Sequence, residues 1–294
     1  MRELNTPDTI VTGWTRQHPA VVQGAVAPTV AHARTVVLVA GSVNPAIAER
    51  DPAAVQAELD ELVSLVDALA RAAADRSDPQ RVLLASSGGT VYDASRPPPY
   101  GEDDLVGPTT AYGRLKLTME QALARHADVI EPVVLRLANV YGPGQRLGTG
   151  QGVIGHWFQA AASGRPLEVF GDQETSRDYV YVADAAAAVG AVHRAVAPPA
   201  VLNIGSGVAT SLGELGALVR EVVGGDPVGV KVIPARGFDR RDVFLDVTLA
   251  RTTIGWSPAT SLRDGLEATW AAMQAAAGPA TRGSTRSARV PWWR

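Results

Sequence analysis

Three short apolar runs, separated by longer helical patterns, limit what this chain can fold into. The runs cover 35–40, 81–85 and 132–137, and each contains Val and Leu. After the first run, Asp51 stands at an N-cap position and apolar residues recur at helical spacing over 52–74, which predicts a long amphipathic helix. Because strands that alternate with helices build parallel sheets covered by helices, this order predicts an α/β fold with a doubly wound parallel sheet.

A tyrosine and a lysine stand four residues apart in a second helical pattern, over 110–124. They are Tyr112 and Lys116, and either Thr109 or Thr110 is available as the N-cap of this helix. Since four residues are about one helical turn, the phenol and the ammonium lie on the same face. A free tyrosine has a pKa near about 10, and a nearby cation favours the phenolate. The spacing therefore predicts that Lys116 lowers the pKa of Tyr112, which becomes an acid/base residue.

Hydroxyl groups precede this helix. The strand pattern at 81–85 ends in Ser86 and Ser87, and Thr90 follows three residues later. The carboxyl ends of parallel strands are where open α/β sheets bind ligands. An isolated Tyr-x-x-x-Lys motif is more often a half-buried aromatic residue beside a solvated lysine. The neighbouring hydroxyls favour the interpretation as an active site.

Composition argues against several classes of function. The net charge of −3 provides no field for nucleic acid or for an anionic membrane. The sequence has no Cys, and its five His residues show no ligand spacing, so neither disulfides nor a metal site is expected. No apolar run approaches the roughly 20 residues that cross a bilayer, and the N-terminus does not read as a signal peptide. We therefore expect a cytoplasmic protein whose partner is a small molecule.

Six motifs occur in an order that is typical of a known family: SSGGTVYD, YGRLK, LRLANVYGPG, RDYVYVADAAAAV, LNIGSG and IGWSPATSLRDGL. Over about 35–275 the chain resembles the extended short-chain dehydrogenase/reductase family, specifically its nucleotide-sugar epimerases and dehydratases. The resemblance implies a Rossmann-like sheet with a smaller C-terminal substrate-binding region, NAD or NADP as cofactor, and a nucleotide sugar as substrate. It also implies a homodimer formed through the helices at 52–74 and 110–124.

The same resemblance assigns roles to individual residues. Tyr112 is the acid/base residue, Lys116 lowers its pKa, and a Ser or Thr hydroxyl assists. The family's Ser or Thr falls at Gly88, so either Ser87 or Thr90 is left as the assisting hydroxyl. The resemblance assigns Arg177 and Arg236 to the substrate phosphates. There is also a physical reason for this assignment, because guanidinium forks suit phosphate oxygens. The other assigned residues are Ala40, Gly41 and Ser86 for the cofactor, with Tyr112 and Lys116, and Asn139, Val153, Arg177 and Arg236 for the substrate.

The first 34 residues depart from the family pattern. Relatives carry a G-x-x-G-x-x-G turn between a strand and a helix, where the backbone approaches the dinucleotide pyrophosphate. Here the early glycines are Gly13, Gly24 and Gly41, which are too far apart for that turn. The first β-α-β unit is therefore absent or altered. One alternative is a cofactor-independent isomerase, lyase or cyclase acting on a natural-product intermediate, and a second is a non-catalytic binding protein.

The patterns divide the chain into four parts. An atypical segment at 1–34 precedes a Rossmann-like core at 35–150. In 151–277 the remaining core strands alternate with a substrate-binding subdomain, and 278–294 is predicted to be a mobile tail. The glycine-rich stretch at 145–152 lacks the Gly-Lys-Ser/Thr ending of a phosphate loop, and it is predicted to be a flexible lid.

Overall fold

A computed structural model describes most of the chain. The predicted site residues Ala40 and Arg236, residues 146–151 of the predicted lid and the tail at 278–294 lie outside the described residues. Within the described part, no helix is both long enough and apolar enough to cross a membrane. The structure describes residues 10–15, 19–22, 24–39, 41–74, 76–145, 152–224, 229–235 and 241–277.

Strands and helices alternate along most of the described chain. The strands are β1 (Val21–Val22), β2 (Ala25–Val26), β3 (Thr35–Leu38), β4 (Gln80–Ser87), β5 (Ile130–Leu137), β6 (Asn139–Tyr141), β7 (Leu167–Phe170), β8 (Ser176–Arg177), β9 (Tyr179–Tyr181), β10 (Val201–Ile204), β11 (Thr210–Ser211), β12 (Val230–Ile233) and β13 (Asp242–Val243). The helices are α1 (Pro28–Ala31), α2 (Pro45–Arg50), α3 (Pro52–Ala73), α4 (Gly88–Val91), α5 (Ala111–Ala124), α6 (Val153–Ala162), α7 (Val182–Arg194), α8 (Leu212–Val223), α9 (Thr248–Ile254) and α10 (Leu262–Ala277).

Four parallel strands form the central sheet, in the order β10, β5, β4 and β3. The apolar runs at 35–40, 81–85 and 132–137 correspond to β3, β4 and β5, and β4 is buried between the other two strands. This order confirms the predicted parallel α/β fold. In the described part of the chain β3 is the edge strand. The described residues before β3 contribute the antiparallel pair β1 and β2 and no further strand of this sheet, in agreement with the predicted alteration of the first β-α-β unit.

Alternate residues of β4 face two different cores. Val82 and Leu84 pack in a cluster with residues of α3 and α5, such as Leu69 and Leu115. Leu83 points the other way and packs in a cluster with residues of α7 and α9. Successive side chains of a strand point to opposite faces, so helices cover both faces of the sheet, as in a doubly wound fold.

A smaller region follows the central sheet. Its core contains Trp157, Phe158 and Leu215, which are fully buried in a cluster formed by α6, β7, α8 and α10. Strand β7 pairs in parallel with β12. Strand β8, which carries Arg177, lies between β11 and β13. The smaller C-terminal region that the family resemblance implies is therefore present.

Side-chain caps fix the start of the two helices that flank the predicted site. The Asp51 carboxylate accepts the backbone N–H of Ala54 at 2.9 Å at the start of α3. The Thr110 hydroxyl oxygen accepts the backbone N–H of Gly113 at 3.0 Å at the start of α5. Such caps satisfy N–H groups that have no partner within the helix. The cap of α5 lies two residues before Tyr112, so it fixes the position of that tyrosine in the first turn of the helix.

Arg136 on β5 and Glu120 on α5 form a buried ion pair. Arg136 Nη2 donates to Glu120 Oε2 at 2.8 Å, and the two residues are 5% and 6% exposed. Ser86, near the end of β4, donates its hydroxyl to the same carboxylate. The guanidinium of Arg136 also lies 4.9 Å from the centroid of the Tyr92 ring. Because a buried ion pair needs such additional contacts to offset its desolvation, this cluster joins α5 to two strands of the sheet.

A second buried network connects β10 to the same cluster. Tyr92 donates its hydroxyl to Asn203 Oδ1 at 2.7 Å, and Asn203 Nδ2 donates to the carbonyl oxygen of Tyr100 at 2.9 Å. The rings of Tyr92 and Tyr100 stack with centroids 5.2 Å apart. The Glu102 carboxylate accepts the backbone N–H of Asn203 at 2.7 Å. The loop between α4 and α5 is thereby held against the sheet.

Replacing Glu120 tests the importance of the buried ion pair. Glu120→Ala should lower the free energy of unfolding by about 3–5 kcal/mol, because the Arg136 guanidinium stays buried without its counter-charge. Urea unfolding followed by circular dichroism measures this loss. Lys231→Ala is the control, since it removes one member of an exposed pair with Glu168 and should change stability by at most about 1 kcal/mol. Similar losses in both variants would contradict the role given to the buried pair.

Candidate active site

Helix α5 presents Tyr112 and Lys116 on one face. Lys116 Nζ lies 5.5 Å from the centroid of the Tyr112 ring, as the four-residue spacing predicts. Tyr112 is partly buried, and Lys116 is only 8% exposed. Among the described residues, the ammonium donates to the Met119 thioether sulfur, at 3.9 Å. An ammonium has three donors and sulfur is a weak acceptor, so Lys116 can still bind a ligand oxygen.

The protonation of Tyr112 differs from the expectation drawn from the sequence. Burial raises the pKa of Tyr112 to about 12, and the Glu58 carboxylate adds to this rise. Burial lowers the pKa of Lys116, and Glu58 opposes that change. The pKa of Tyr112 is therefore not lowered in the ligand-free site, because burial and the Glu58 charge both disfavour the phenolate. At neutral pH Tyr112 keeps its proton.

Glu58 on α3 is a residue of this site that the sequence analysis missed. It is 4% exposed, and its Oε2 accepts the backbone N–H of Ser42 at 2.5 Å and that of Val43 at 2.7 Å. One signal could have identified it. Glu58 falls on the apolar stripe of the predicted helix, between Val55 and Leu62, which both pack on the core. An acidic residue on a core-facing stripe is almost never buried without a specific partner.

The structure explains why position 88 carries no hydroxyl. A Cβ at Gly88 would lie 2.7 Å from Cδ1 of Leu245 and 2.8 Å from its Cδ2, so Leu245 fills the space of a side chain there. Nearby, Thr90 Oγ1 is buried and has no hydrogen-bond partner among the described residues. Ser87 is partly buried at the carboxyl end of β4. Both Ser87 and Thr90 remain candidates for the assisting hydroxyl.

Two of the residues predicted to contact the cofactor differ in their surroundings. Gly41 follows β3, and a Cβ at this position would lie 3.0 Å from Glu58 Oε1. Gly41 therefore lies against the Glu58 carboxylate, and the same carboxylate raises the pKa of Tyr112. The Ser86 hydroxyl, in contrast, is donated to Glu120 inside the buried cluster. The hydroxyl of Ser86 is therefore used within the protein.

The predicted substrate residues Asn139 and Arg177 lie near each other. Asn139 begins β6 and is exposed, and its Nδ2 donates to the carbonyl oxygen of Asp178 at 2.9 Å. Arg177 precedes Asp178, and its Nη1 donates to the carbonyl oxygens of Ser176 at 2.7 Å and Arg241 at 2.9 Å. The structure brings these two predicted residues to the same end of the fold.

Val153, another predicted substrate residue, is the first residue of α6. It is partly buried and packs against the core of the C-terminal region. It follows the predicted lid, whose residues 146–151 lie outside the described chain. Arg236, the second predicted phosphate ligand, also lies outside it.

The described residues fit one end of a nicotinamide dinucleotide. Gly41, Tyr112 and Lys116 offer a close backbone approach, a phenol and an ammonium in one place. The pyrophosphate end needs backbone N–H groups at a strand-to-helix turn. After β3, however, the N–H groups of Ser42 and Val43 point to the Glu58 carboxylate, and the sequence contains no G-x-x-G-x-x-G. The described residues therefore contain no cradle for the pyrophosphate.

A model of the NAD dependent epimerase/dehydratase family matches residues 16–205 of this chain. The matched segment contains all four strands of the central sheet together with Tyr112 and Lys116. The chain belongs to this family of enzymes, which confirms the resemblance that the six motifs predict.

The curated relatives are enzymes of nucleotide-sugar metabolism. A UDP-glucose 4-epimerase from Mycolicibacterium smegmatis is 34% identical over 216 residues, which cover 71% of this chain and 68% of the relative. A dTDP-4-dehydro-6-deoxyglucose reductase from Escherichia coli is 32% identical over 197 residues, covering 64% of this chain. In the second match the chain spans only 60% of the relative's length.

Solved structures of related enzymes have the same fold. The UDP-glucose 4-epimerase of Thermotoga maritima, solved with UDP-glucose, superposes with a TM-score of 0.74 at 30% identity, over 82% of this chain and 77% of that one. MoeE5 in complex with UDP-glucuronic acid and NAD superposes with a TM-score of 0.73 at 29% identity, over 82% and 79%. These similarities confirm the Rossmann-like architecture.

The close approach of α5 to α4 depends on Gly113. A Cβ at Gly113 would lie 2.5 Å from the Thr90 carbonyl oxygen and 2.8 Å from Pro108 Cβ. Gly113→Ala should therefore lower stability by about 1–3 kcal/mol, as overpacked sites do, and thermal or urea unfolding measures the loss. Gly101→Ala is the matched control, because the nearest atom to its added Cβ is 3.9 Å away. A Gly113→Ala protein as stable as the control would mean that α5 does not lie this close to Thr90.

Proposed function

We propose that this chain is an NAD(P)-dependent enzyme of the epimerase/dehydratase type that acts on a nucleotide sugar, with Tyr112 as its acid/base residue. The observation that carries the proposal is the pair of Tyr112 and Lys116 on one face of α5, close to the carboxyl end of the sheet. Family membership supports the reaction class. Relatives named for UDP- and dTDP-sugars support the substrate class.

In this mechanism Tyr112 exchanges a proton with a hydroxyl of the sugar. The neutral phenol, which the raised pKa favours in the ligand-free site, acts as the proton donor, and the phenolate acts as the acceptor. Lys116 holds a positive charge one turn away that stabilises the phenolate as it forms. Ser87 or Thr90 donates a hydrogen bond to the reacting oxygen. A bound nicotinamide would supply the redox chemistry of the reaction, and Gly41, Tyr112 and Lys116 are the described residues that would hold its nucleoside.

We assign recognition of the nucleotide sugar to the other predicted residues. Arg177 and Arg236 bind the phosphates, because a planar guanidinium matches phosphate oxygens. Asn139, whose Nδ2 donates to the carbonyl oxygen of Asp178 next to Arg177, contacts the diphosphate. Val153 lines the nucleoside pocket.

A second candidate function rests on a specific observation. The N–H groups of Ser42 and Val43 are occupied by Glu58, and the sequence lacks the family's glycine-rich turn. A cofactor-independent isomerase, lyase or cyclase would use Tyr112 and Lys116 for proton transfer alone. Turnover that needs no added NAD(P), by protein that releases none when denatured, would favour this alternative. A non-catalytic protein on the same fold would lose no function on replacement of Tyr112.

We also propose a homodimer formed through α3 and α5. The support for it is the family membership and the length of α3, which extends from Pro52 to Ala73 beside α5. Such a dimer would cover helix faces that do not pack on the sheet. The remaining partner is the small-molecule substrate.

Tyr112→Phe tests the proposed acid/base role. The change removes the hydroxyl and keeps the ring. Turnover of a UDP- or dTDP-hexose that the wild-type protein converts should therefore fall by about 10²- to 10⁴-fold, with little change in melting temperature. Initial rates with added NAD or NADP measure the effect. Tyr100→Phe is the control, because it removes a hydroxyl that donates to the Arg96 carbonyl oxygen and has no role in the proposed site. Near-normal turnover by Tyr112→Phe would disprove the assignment of this tyrosine.

Arg177→Ala tests the proposed binding of a diphosphate. Loss of a charged hydrogen bond should weaken the binding of a nucleotide sugar by about 1.5–3 kcal/mol, and calorimetric titration with UDP-glucose and dTDP-glucose measures the change. Arg125→Ala, an exposed arginine just after α5, is the control and should bind like the wild type. If Arg177→Ala binds both ligands as tightly as the control does, Arg177 is not a phosphate ligand.

A further inference from the structure

The first turn of α5 has two side-chain caps, and they come from different parts of the chain. The Thr110 hydroxyl oxygen accepts the backbone N–H of Gly113, and Oε1 of Glu49 accepts the backbone N–H of Ala111 at 2.8 Å. Glu49 precedes Ala111 by 62 residues. The first four N–H groups of a helix have no partner within it, so the second cap satisfies one of them from a distant segment. The two capped residues lie on either side of Tyr112.

Glu49 belongs to α2, a short helix whose backbone is fixed at both ends. At its start, Asn44 Oδ1 accepts the backbone N–H of Ile47 at 2.8 Å. At its end, the backbone N–H of Asp51 is donated to the Ile47 carbonyl oxygen at 2.8 Å. Ala48, next to Glu49, is buried in the apolar cluster shared with α3 and α5. The Glu49 side chain is exposed, but it extends from a backbone that is held in place.

Helix α2 connects the loop after β3 to the start of α5. The backbone of that loop is held by the Glu58 carboxylate, and α2 follows directly and packs against both α3 and α5. Ile47 of α2 and Tyr112 of α5 pack on the same apolar cluster. The hydrogen bond from Ala111 to Glu49 therefore fixes the first turn of α5 relative to the carboxyl end of β3.

A hydrogen bond at an exposed helix end usually matters for stability alone. Here the capped turn contains the proposed acid/base residue, and Tyr112 has to bring its hydroxyl within hydrogen-bond reach of a substrate hydroxyl. A displacement of about 1 Å can slow a reaction by about 10²-fold. The place of this cap in the fold therefore gives it a consequence beyond stability.

We propose that Glu49 is a positioning residue for the reaction, and that its hydrogen bond to Ala111 holds the first turn of α5 so that the Tyr112 phenol reaches the substrate. Glu49 touches neither substrate nor cofactor in this role and acts only through Tyr112. The inference rests on the proposed function, which makes Tyr112 the acid/base residue. A displaced acid/base residue slows the chemical step without weakening the binding of substrate, so loss of Glu49 lowers kcat and leaves KM nearly unchanged.

Three variants separate positioning from simple helix capping. Glu49→Ala removes the acceptor of the Ala111 N–H. Glu49→Gln removes the charge but keeps an oxygen that can accept the same N–H. Glu214→Ala is the matched control, because Oε2 of this exposed residue accepts the Ser211 backbone N–H at 2.8 Å at the start of α8. Helix α8 carries none of the proposed site residues.

Initial rates of the full chain with UDP- and dTDP-hexoses and added NAD or NADP give kcat and KM, and thermal unfolding gives the stability of each variant. We expect kcat of Glu49→Ala to fall about 10- to 100-fold, as for a misplaced catalytic group, with a change in KM of less than about 2-fold. Glu49→Gln should recover most of the lost rate. Glu214→Ala should lower the melting temperature by as much as Glu49→Ala does and keep the wild-type kcat.

A double-mutant cycle tests whether Glu49 acts through Tyr112. In a Tyr112→Phe background, Glu49→Ala should lower kcat no further, because residues that act as a unit have non-additive effects. An equal loss in both backgrounds would overturn the proposal. So would a Glu49→Ala enzyme with the kcat of Glu214→Ala, or a Glu49→Gln enzyme as slow as Glu49→Ala.

The outcomes distinguish this role from the proposed function. A slowed Tyr112→Phe enzyme beside an unaffected Glu49→Ala enzyme refutes the positioning role alone. Near-normal turnover by Tyr112→Phe, or a wild-type chain that converts no nucleotide sugar, refutes the proposed function and this inference with it. If Glu49→Ala fails to fold, Glu49→Asp decides in its place, because it keeps the charge but shortens the side chain by one methylene, and it should show the same fall in kcat.

Discussion

The position of the candidate active site depends on the buried ion pair between Arg136 and Glu120. Glu120 lies one turn beyond Lys116 on α5, and Arg136 belongs to a central strand of the sheet. Breaking such a pair leaves an uncompensated charge in a medium where charges are poorly solvated. The cation, the Ser86 hydroxyl and the carboxylate therefore fix the rotation of α5 relative to the sheet. That rotation decides which face of α5 points to the carboxyl end of β3.

One turn earlier on α5, a second set of buried and oppositely charged residues is arranged differently. Lys116 and Glu58 are also buried and oppositely charged, but they do not satisfy each other. One pair of charges is complete and joins α5 to the sheet, whereas the other two charged groups do not form an ion pair with each other. Incomplete pairing of buried polar groups is costly for stability. Proteins keep such costs mainly where function needs them.

Local sequence patterns predict much of the fold but only part of the candidate site. Spacing within one segment is enough to predict the strands β3, β4 and β5 and the caps at Asp51 and Thr110. It also predicts the shared face of Tyr112 and Lys116. The raised pKa of Tyr112 depends on burial and on Glu58, which comes from another helix. Such a contact between distant segments leaves no periodic signal. A Glu on an apolar stripe shows that something is unusual, but it does not reveal the partner.

The contact between Gly88 and Leu245 limits the evolutionary paths open to this site. A serine at 88 alone would place its Cβ within 3 Å of both Leu245 methyl groups, a clash that a packed core does not absorb without strain. A smaller residue at 245 alone would leave a cavity beside the buried Tyr92 and Tyr100 rings. Each change is unfavourable by itself, and each becomes acceptable in the presence of the other. A hydroxyl-bearing side chain at position 88 is thus two coupled mutations away, in segments far apart in the gene.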